Sequence, residues 1–193
     1  MDWAGNEQLA TETQVDLDAF ALILADRYFA TVSRLLRKYD TNHLYLGCRF
    51  VRQRPSDDIL KIAAKYVDVL SYNSYSYRPE EAREYHRITE KPILIGEFHY
   101  PLQSERQHPP LYRCFTEQER HQMLQNYVSF IAQEPYSIGC HWYQWADQHL
   151  SGRGLDGENQ VVGLVDITDQ PHTELVEAFK KIALNLPTWR GIE

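Results

Sequence analysis

Apolar side chains recur along the chain with two different spacings. Segments with the spacing of amphipathic helices alternate with short apolar runs that are typical of buried strands. We predict helices over residues 17–38, 55–66, 78–89, 116–135 and 170–186. We predict strands over residues 44–50, 67–77, 92–98 and 137–145. Because strands and helices alternate, the sequence predicts βαβ units with a parallel sheet, in an α/β fold.

Composition narrows the possible partners. The 193 residues carry a formal net charge of −7, which disfavours nucleic acid and anionic membrane surfaces as ligands. No apolar run approaches the roughly 20 residues of a membrane-spanning helix. The opening MDWAGNEQLATETQ lacks the basic and apolar regions of a signal peptide.

No feature of the sequence indicates a cofactor or a metal. The three cysteines have no metal-type spacing, and their odd number implies no complete disulfide framework. No glycine-rich phosphate-binding motif directly follows a predicted strand. We therefore expect no cofactor and no metal site.

Polar and aromatic residues collect where the predicted strands end. In parallel α/β folds the functional groups lie at the carboxyl ends of the strands. The strand ends supply Arg49, Phe50, Ser71, Tyr72, Asn73, Tyr75, Glu97, His99, His141, Trp142, Tyr143, Gln144 and Trp145. Glu97 is the most informative, because it follows the apolar run 92–96 and a buried charge is costly unless it is paired or in use.

The alternation of side chains along a strand groups some of these residues. It places Ile93, Ile95 and Glu97 on one face of the third strand, and Trp142 and Gln144 on one face of the fourth. A carboxylate beside an indole ring fits a sugar site. The aromatic ring stacks on the C–H face of the sugar, while the carboxylate attacks or stabilises the anomeric carbon.

Five stretches, in this order, carry a resemblance to a known family. They are NHLYLGCRF, VDVLSYNSYSY, KPILIGEFHY, IGCHWYQWADQ and GENQVVGLVDITD. The chain resembles the glycoside hydrolases of clan A, and most closely the β-agarases. The resemblance implies that residues 17–186 form the C-terminal half of a (β/α)8 TIM barrel, with strands five to eight and their helices. Residues 1–16 are then a polar N-terminal segment, the tail of an insertion between strands, and residues 187–193 a C-terminal tail.

The resemblance also implies roles for particular residues. Glu97 matches the catalytic nucleophile of a retaining glycosidase, and Tyr75 matches a tyrosine that hydrogen-bonds this carboxylate. Trp142 corresponds to the aromatic platform under the sugar. The groups expected to bind substrate are Arg49, Asn73, His99, Trp142, Gln144, Asp147 and Glu158. The implied substrate is a galactan such as agarose, cleaved at its β-galactosidic bonds.

A retaining glycosidase needs a second carboxyl group as its acid/base. The resemblance places that group in an Asn-Glu pair at the end of the fourth barrel strand. The pair Asn6-Glu7 does not fit, because the preceding MDWAG is not an apolar strand. We therefore expect the isolated chain not to hydrolyse glycosides, and a missing N-terminal half of the barrel or self-association to cover its open edges.

Other interpretations stay open. The same strand ends would suit a non-catalytic carbohydrate-binding protein or a degenerate half-barrel, and another clan A activity, such as a β-galactosidase or cellulase, is a further alternative. In a purely structural interpretation Glu97 is a solvated strand end and Trp142 belongs to the core. An extracellular or periplasmic location for the full-length enzyme rests on family analogy alone.

Overall fold

A three-stranded parallel sheet, with a helix between successive strands, forms the framework of the chain. The computed structural model describes residues 11–51, 54–103 and 112–192. The helices are α1 (Thr11–Tyr39), α2 (Asp57–Ala64), α3 (Glu81–Thr89), α4 (Glu117–Gln133) and α5 (Thr173–Trp189). The strands are β1 (Leu70–Asn73), β2 (Ile93–Phe98) and β3 (Ser137–Trp142), paired in the order β1-β2-β3. The predicted α/β class and the parallel sheet are confirmed.

Side chains cap the starts of two helices. Ser56 accepts a hydrogen bond from the backbone N–H of Ile59 at the start of α2. At α4, the Thr116 hydroxyl accepts from Glu119 N at 3.1 Å, and the Glu119 carboxylate accepts from Phe115 N at 2.7 Å. These side chains satisfy backbone donors that a helix leaves unpaired in its first turn.

The predicted strand over residues 44–50 is not a regular strand in the structure. This segment runs beside β1, where Phe50 N donates to Ser71 O at 3.2 Å and Asn73 N donates to Phe50 O at 2.8 Å. A continuous ladder does not form, because Gly47 has a φ of +70° and the Asp68 carboxylate takes the backbone N–H of Tyr45. The prediction that residues 44–50 form a regular strand is wrong, although the segment lies beside β1 at the edge of the sheet.

Two helices extend beyond their predicted bounds. Helix α1 already includes residues 11–16, which the sequence analysis assigned to the polar N-terminal segment. These mostly polar residues give no apolar periodicity, and residues 13–16 are exposed on the helix. Helix α5 continues through Pro187 to Trp189, into the predicted C-terminal tail. Residues 1–10, with Glu7, lie outside the described residues.

The core lies between the sheet and the five helices, and its aromatic part lies against α4 and α5. The rings of Phe98 on β2 and Tyr127 on α4 stack with their centroids 4.2 Å apart. Trp142 on β3 meets Phe98 and Phe179 of α5 edge to face, at 5.4 Å in both cases. This packing fixes the orientation of β2 and β3, and therefore of the residues that follow them.

Apolar side chains on α1 remain exposed. They are Val15, Leu17, Phe20, Ile23, Leu24, Tyr28, Leu35 and Leu36. Several exposed apolar side chains on one helix are typical of an interaction face. None of the helices that the structure describes combines the length and apolar character needed to cross a membrane.

Candidate active site

Glu97 lies near the carboxyl end of β2 with its side chain only 17% exposed. Three side chains hold its carboxylate. Asn73 Nδ2 and the Tyr75 hydroxyl both donate to Oε2 at 2.7 Å, and Arg49 Nη1 lies 2.6 Å from Oε1. Hydrogen bonds and a cation of this kind favour the ionised carboxylate. The structure thus brings together four of the predicted site residues.

The backbone around Glu97 is shaped to admit these partners. A register shift between Tyr72 and Asn73 sets Asn73 opposite Glu97 across the two strands. Gly96 leaves room for the stem of Arg49, because a Cβ at this position would lie 2.2 Å from Arg49 Cδ. Arg49 also donates to the Gly96 carbonyl oxygen at 3.1 Å. The glycine before the glutamate therefore has a local function that the sequence motif did not reveal.

Tyr75 is a hydrogen-bond donor at physiological pH. Burial raises the pKa of its phenol well above the usual value, and the hydrogen bond to the Glu97 carboxylate raises it further. The phenol therefore keeps its proton and offers it to Glu97. This contact matches the role that the family resemblance implies for the tyrosine.

His99 is buried between two tyrosine rings. Its centroid is 4.8 Å from that of Tyr75 and 5.7 Å from that of Tyr143. Its Nδ1 lies 3.0 Å from the carbonyl oxygen of Tyr143, and a carbonyl oxygen only accepts, so we assign the proton to Nδ1. Burial lowers the pKa of His99 to about 4. The ring is therefore neutral at physiological pH, and Nε2 is an acceptor.

The lowered pKa of His99 makes stability depend on pH. Between its ordinary value near 6.5 and about 4, the unfolded chain binds a proton at His99 that the folded chain does not. Stability therefore falls as pH decreases through this window, by up to about 3 kcal/mol from this group. Urea unfolding from pH 7 to pH 4 is expected to show a shallower decline in His99→Gln than in the wild type. The same change at the exposed His141 is the matched control, and a decline equally steep in His99→Gln would contradict the assignment.

A cavity of about 530 Å³ opens beside Glu97. Its lining includes the predicted residues Asn73, Tyr75, Glu97, His99 and Glu158. It also includes residues that were not predicted as site residues, namely Val51, Glu81, Tyr143, Arg153 and Gln160. Hydroxyl, amide, imidazole and carboxylate groups converge here, which is the chemistry that sugar hydroxyls require.

Arg153 and Glu158 enter the cavity from the loop between β3 and α5. Arg153 forms a two-pronged pair with Asp156 at 2.6 and 2.7 Å, and its Nη1 donates to the Tyr143 hydroxyl at 3.2 Å. Glu158 Oε2 accepts from Gln148 Nε2 at 2.6 Å and lies 3.2 Å from Arg153 Nη2. These contacts fix a glycine-rich loop whose sequence pattern gave no signal for Arg153.

Trp142 does not lie beside Glu97. Its indole N–H donates to the Val162 carbonyl oxygen at 2.7 Å, and its ring packs in the core against Phe98 and Phe179. The face of β3 that carries Trp142 is directed at α4 and α5. Strand β3 ends at Trp142, so the alternation does not extend to Gln144, which lines a cavity beside Tyr143. The predicted position of Trp142 as a platform at this carboxylate is therefore wrong. Tyr143, the next residue, lines the cavity instead.

Gln144 and Asp147 line a separate, neighbouring cavity of about 240 Å³. The carboxylate of Asp147 is fully engaged within the chain, because Oδ1 accepts from Gly163 N at 2.7 Å and Oδ2 lies 2.7 Å from His172 Nε2. Asp147 thus ties the loop after β3 to the start of α5. Asp147 is not among the residues that line the cavity at Glu97, and substrate binding by Asp147 stays a prediction.

Cation ligands are not grouped near the site. Within residues 11–51, 54–103 and 112–192, no three His, Cys, Asp or Glu side chains are arranged to hold a metal ion. Arg153 lines both cavities and is paired with Asp156, and Arg49 is paired with Glu97.

The fold and the site define a parallel α/β protein with a partly buried, hydrogen-bonded carboxylate at the carboxyl edge of its sheet. Over 90% of its length the chain is 40% identical to β-agarase B of Vibrio sp. (strain JT0107), and over 87% it is 33% identical to β-agarase A of the same strain. It spans 18% of the length of each of these relatives. No protein-family model matches the chain.

Solved structures show the same relationship. The chain superposes on an exo-β-agarase with a TM-score of 0.84 and 36% identity, covering 96% of this chain and 25% of that one. A second agarase gives a TM-score of 0.83 and 33% identity, covering 96% of this chain and 27% of that one. The chain is β-agarase-like in sequence and in structure, and the resemblance of the five motifs to the β-agarases is confirmed.

Proposed function

We propose that the chain is the part of a β-agarase-like glycoside hydrolase that carries the nucleophile, and that the enzyme cleaves β-galactosidic bonds in a galactan such as agarose. The observation that carries the proposal is the Glu97 carboxylate, held by Asn73, Tyr75 and Arg49 at the wall of an open cavity. The names of the relatives support the choice of substrate.

In the proposed reaction an oxygen of Glu97 bonds to the anomeric carbon while the glycosidic C–O bond breaks. Water then cleaves the resulting ester, with retention of configuration. Asn73, Tyr75 and Arg49 keep the carboxylate ionised and aimed at the cavity. His99 Nε2 and the Glu158 carboxylate accept hydrogen bonds from sugar hydroxyls in this scheme.

We further propose that the chain forms the C-terminal half of a clan A (β/α)8 barrel. The segment 44–50 beside β1 supports this, as it extends the parallel arrangement to four consecutive units. Among the described residues β3 pairs on one side only, and α1 exposes apolar side chains. The remainder of the barrel, or failing that a second copy of the chain, is the proposed partner of these surfaces.

In this proposal the carboxyl group that acts as acid/base lies in the remainder of the barrel and not in this chain. The isolated chain is then inactive on glycosides whose leaving group needs a proton, such as agarose. A glycoside whose leaving group departs without a proton lies outside that expectation, because the nucleophile alone can displace it. Glu7 lies outside the described residues, and its exclusion as the acid/base remains a prediction. An extracellular or periplasmic location is proposed because a polysaccharide substrate lies outside the cell.

An activated substrate tests the nucleophile in the isolated chain, because a dinitrophenyl β-galactoside has a leaving group that needs no proton. The Tyr75→Phe variant is expected to release dinitrophenol about 100-fold more slowly than the wild type, since one donor to Glu97 is lost. Tyr77→Phe is the matched control, because Tyr77 is 60% exposed and is expected to leave the rate unchanged. Equal rates for the Tyr75→Phe variant and the wild type would contradict the proposed role of Tyr75.

A further inference from the structure

Strand β1 ends before Tyr75, one of the residues that donate to Glu97. The strand covers Leu70–Asn73, so its backbone ladder fixes Asn73 but does not reach Tyr75. The Tyr75 hydroxyl nevertheless lies 2.7 Å from Glu97 Oε2. A hydrogen bond of this length is lost when its partners separate by about 1 Å. Contacts outside the sheet therefore hold the segment 73–76 in place.

Ser74, within this segment, uses all of its polar groups inside the chain. Its backbone N–H donates to the Glu97 carbonyl oxygen at 3.0 Å, and its hydroxyl donates to the Glu81 carboxylate. Its carbonyl oxygen accepts from the hydroxyl of Tyr127, on α4, at 2.8 Å. Ser74 is 2% exposed, so water is not available to replace a partner that is lost.

A second tyrosine holds the segment on the other side of Tyr75. The Tyr100 hydroxyl donates to the Ser76 carbonyl oxygen at 2.8 Å. A carbonyl oxygen only accepts, so the phenols of Tyr100 and Tyr127 are both protonated, and burial raises the pKa of each above its usual value. The two hydroxyls thus bind the backbone before and after Tyr75.

These two tyrosines form one packed cluster with the residue that follows Glu97. The Phe98 ring stacks on Tyr127 at 4.2 Å and meets Tyr100 edge to face at 6.2 Å, and all three side chains are almost fully buried. Side chains that are packed this closely shift little. The cluster is joined to Glu97 along the chain and to Tyr75 through hydrogen bonds, so it sets the distance between the donor and the carboxylate.

Neither tyrosine of the cluster is placed to touch a ligand. Tyr75 and Glu97 line the cavity of about 530 Å³, whereas Tyr100 and Tyr127 are not among the described residues that line it. Any effect of their hydroxyls on a reaction in this cavity therefore passes through the segment 73–76.

We infer that Tyr127 and Tyr100 are positioning residues of the active site, whose hydroxyls hold the Tyr75 hydroxyl at hydrogen-bond distance from Glu97. The inference rests on the proposed function, since it takes Glu97 as the nucleophile. The other support of Tyr75 is its ring contact with His99, at 4.8 Å. A ring contact of this kind fixes the hydroxyl less closely than hydrogen bonds to the adjoining backbone.

A double-mutant cycle in the full chain tests this path. Tyr127→Phe keeps the ring that stacks on Phe98 and removes only the hydroxyl. We expect the first-turnover release of dinitrophenol from a dinitrophenyl β-galactoside to be about tenfold slower, with the half-saturating concentration unchanged. In a Tyr75→Phe background the same change should have no further effect, because the donor that it positions is already absent. Tyr100→Phe is expected to behave in the same way and decides the question if Tyr127→Phe does not fold.

Tyr66→Phe is the matched control, because it removes a hydroxyl that donates to Asp26 of α1 at 2.9 Å. It should leave the rate unchanged. A second measurement needs no reaction, namely the NMR signal of Tyr75 in chains labelled with ¹³C at the tyrosine Cζ, identified by its absence from Tyr75→Phe. This signal should move in Tyr127→Phe and in Tyr100→Phe and stay in place in Tyr66→Phe.

The outcomes separate the two claims. If Tyr127→Phe and Tyr100→Phe leave both the rate and the Tyr75 signal unchanged, the contact with His99 is sufficient, and the inference is overturned while the proposed function stands. Equal slowing with and without Tyr75 would also overturn it, because a general loss of structure does not act through Tyr75. If the wild type releases no dinitrophenol, the proposed function fails, and the Tyr75 signal alone decides whether the two tyrosines hold the hydroxyl.

Discussion

Replacing Glu97 with glutamine is expected to slow the release of dinitrophenol from a dinitrophenyl β-galactoside by roughly 10⁴-fold or more, the scale of loss seen when a catalytic group is removed. Glutamine keeps the shape of the side chain and an oxygen that accepts from Tyr75 and Asn73. It lacks the negative charge that attacks the anomeric carbon. Binding of an agarose-derived oligosaccharide should therefore persist while the chemical step is lost.

Glu158→Gln is the matched control for this change. Glu158 lines the same cavity, but its carboxylate is held by Gln148 and Arg153 and not by the groups around Glu97. We expect it to affect binding more than the rate of the chemical step. Equal loss of rate in both variants would contradict the assignment of Glu97 alone as nucleophile. A wild-type chain that binds sugar but releases no dinitrophenol would favour the non-catalytic interpretation.

Gly163→Ala is expected to have the largest effect on stability. A Cβ at this position would lie 2.3 Å from both Asp147 N and Val165 O, which are hydrogen-bonded to each other at 2.9 Å. Both atoms belong to the backbone and cannot move aside as the end of a side chain would. We expect the free energy of unfolding to fall by about 3 kcal/mol or more, as judged from urea denaturation.

Gly154→Ala is the control for that experiment. A Cβ at Gly154 meets no atom within 4 Å, so the change should alter stability by less than about 1 kcal/mol. The Gly163→Ala variant should also weaken galactan binding, because the displaced Asp147 fixes the loop that carries Arg153. Equal stability of the two alanine variants would show that the backbone near Asp147 adapts, contrary to the packing described.

Much of the fold and part of the site could be predicted from the sequence. The spacing of apolar residues located the helices, because it depends only on short stretches of chain. Glu97 and Tyr75 could be predicted as site residues because both lie at or just beyond the carboxyl end of a parallel strand. Asn73 and Arg49 followed from the same reasoning together with the family resemblance.

The rest depended on contacts between distant parts of the chain. Strand alternation shows that Ile138, Cys140 and Trp142 share a face, but only packing against Phe179 shows that the face is directed at the helices. The irregular segment 44–50 reflects Asp68, more than 20 residues away, which takes a backbone donor from it. Arg153 lies in a loop without periodicity, where its position is set by ion pairs.

The most direct test of the central claim is mass spectrometry after treatment with 2-deoxy-2-fluoro-β-galactosyl fluoride. Fluoride leaves without a proton donor, and the fluorine at C2 slows hydrolysis, so the sugar remains attached to the nucleophile as an ester. Our account predicts one added fluorogalactosyl group, located on Glu97 after proteolysis and absent from the Glu97→Gln variant. A label on Glu158 or on any other carboxylate, or no label on the wild-type chain, would contradict it.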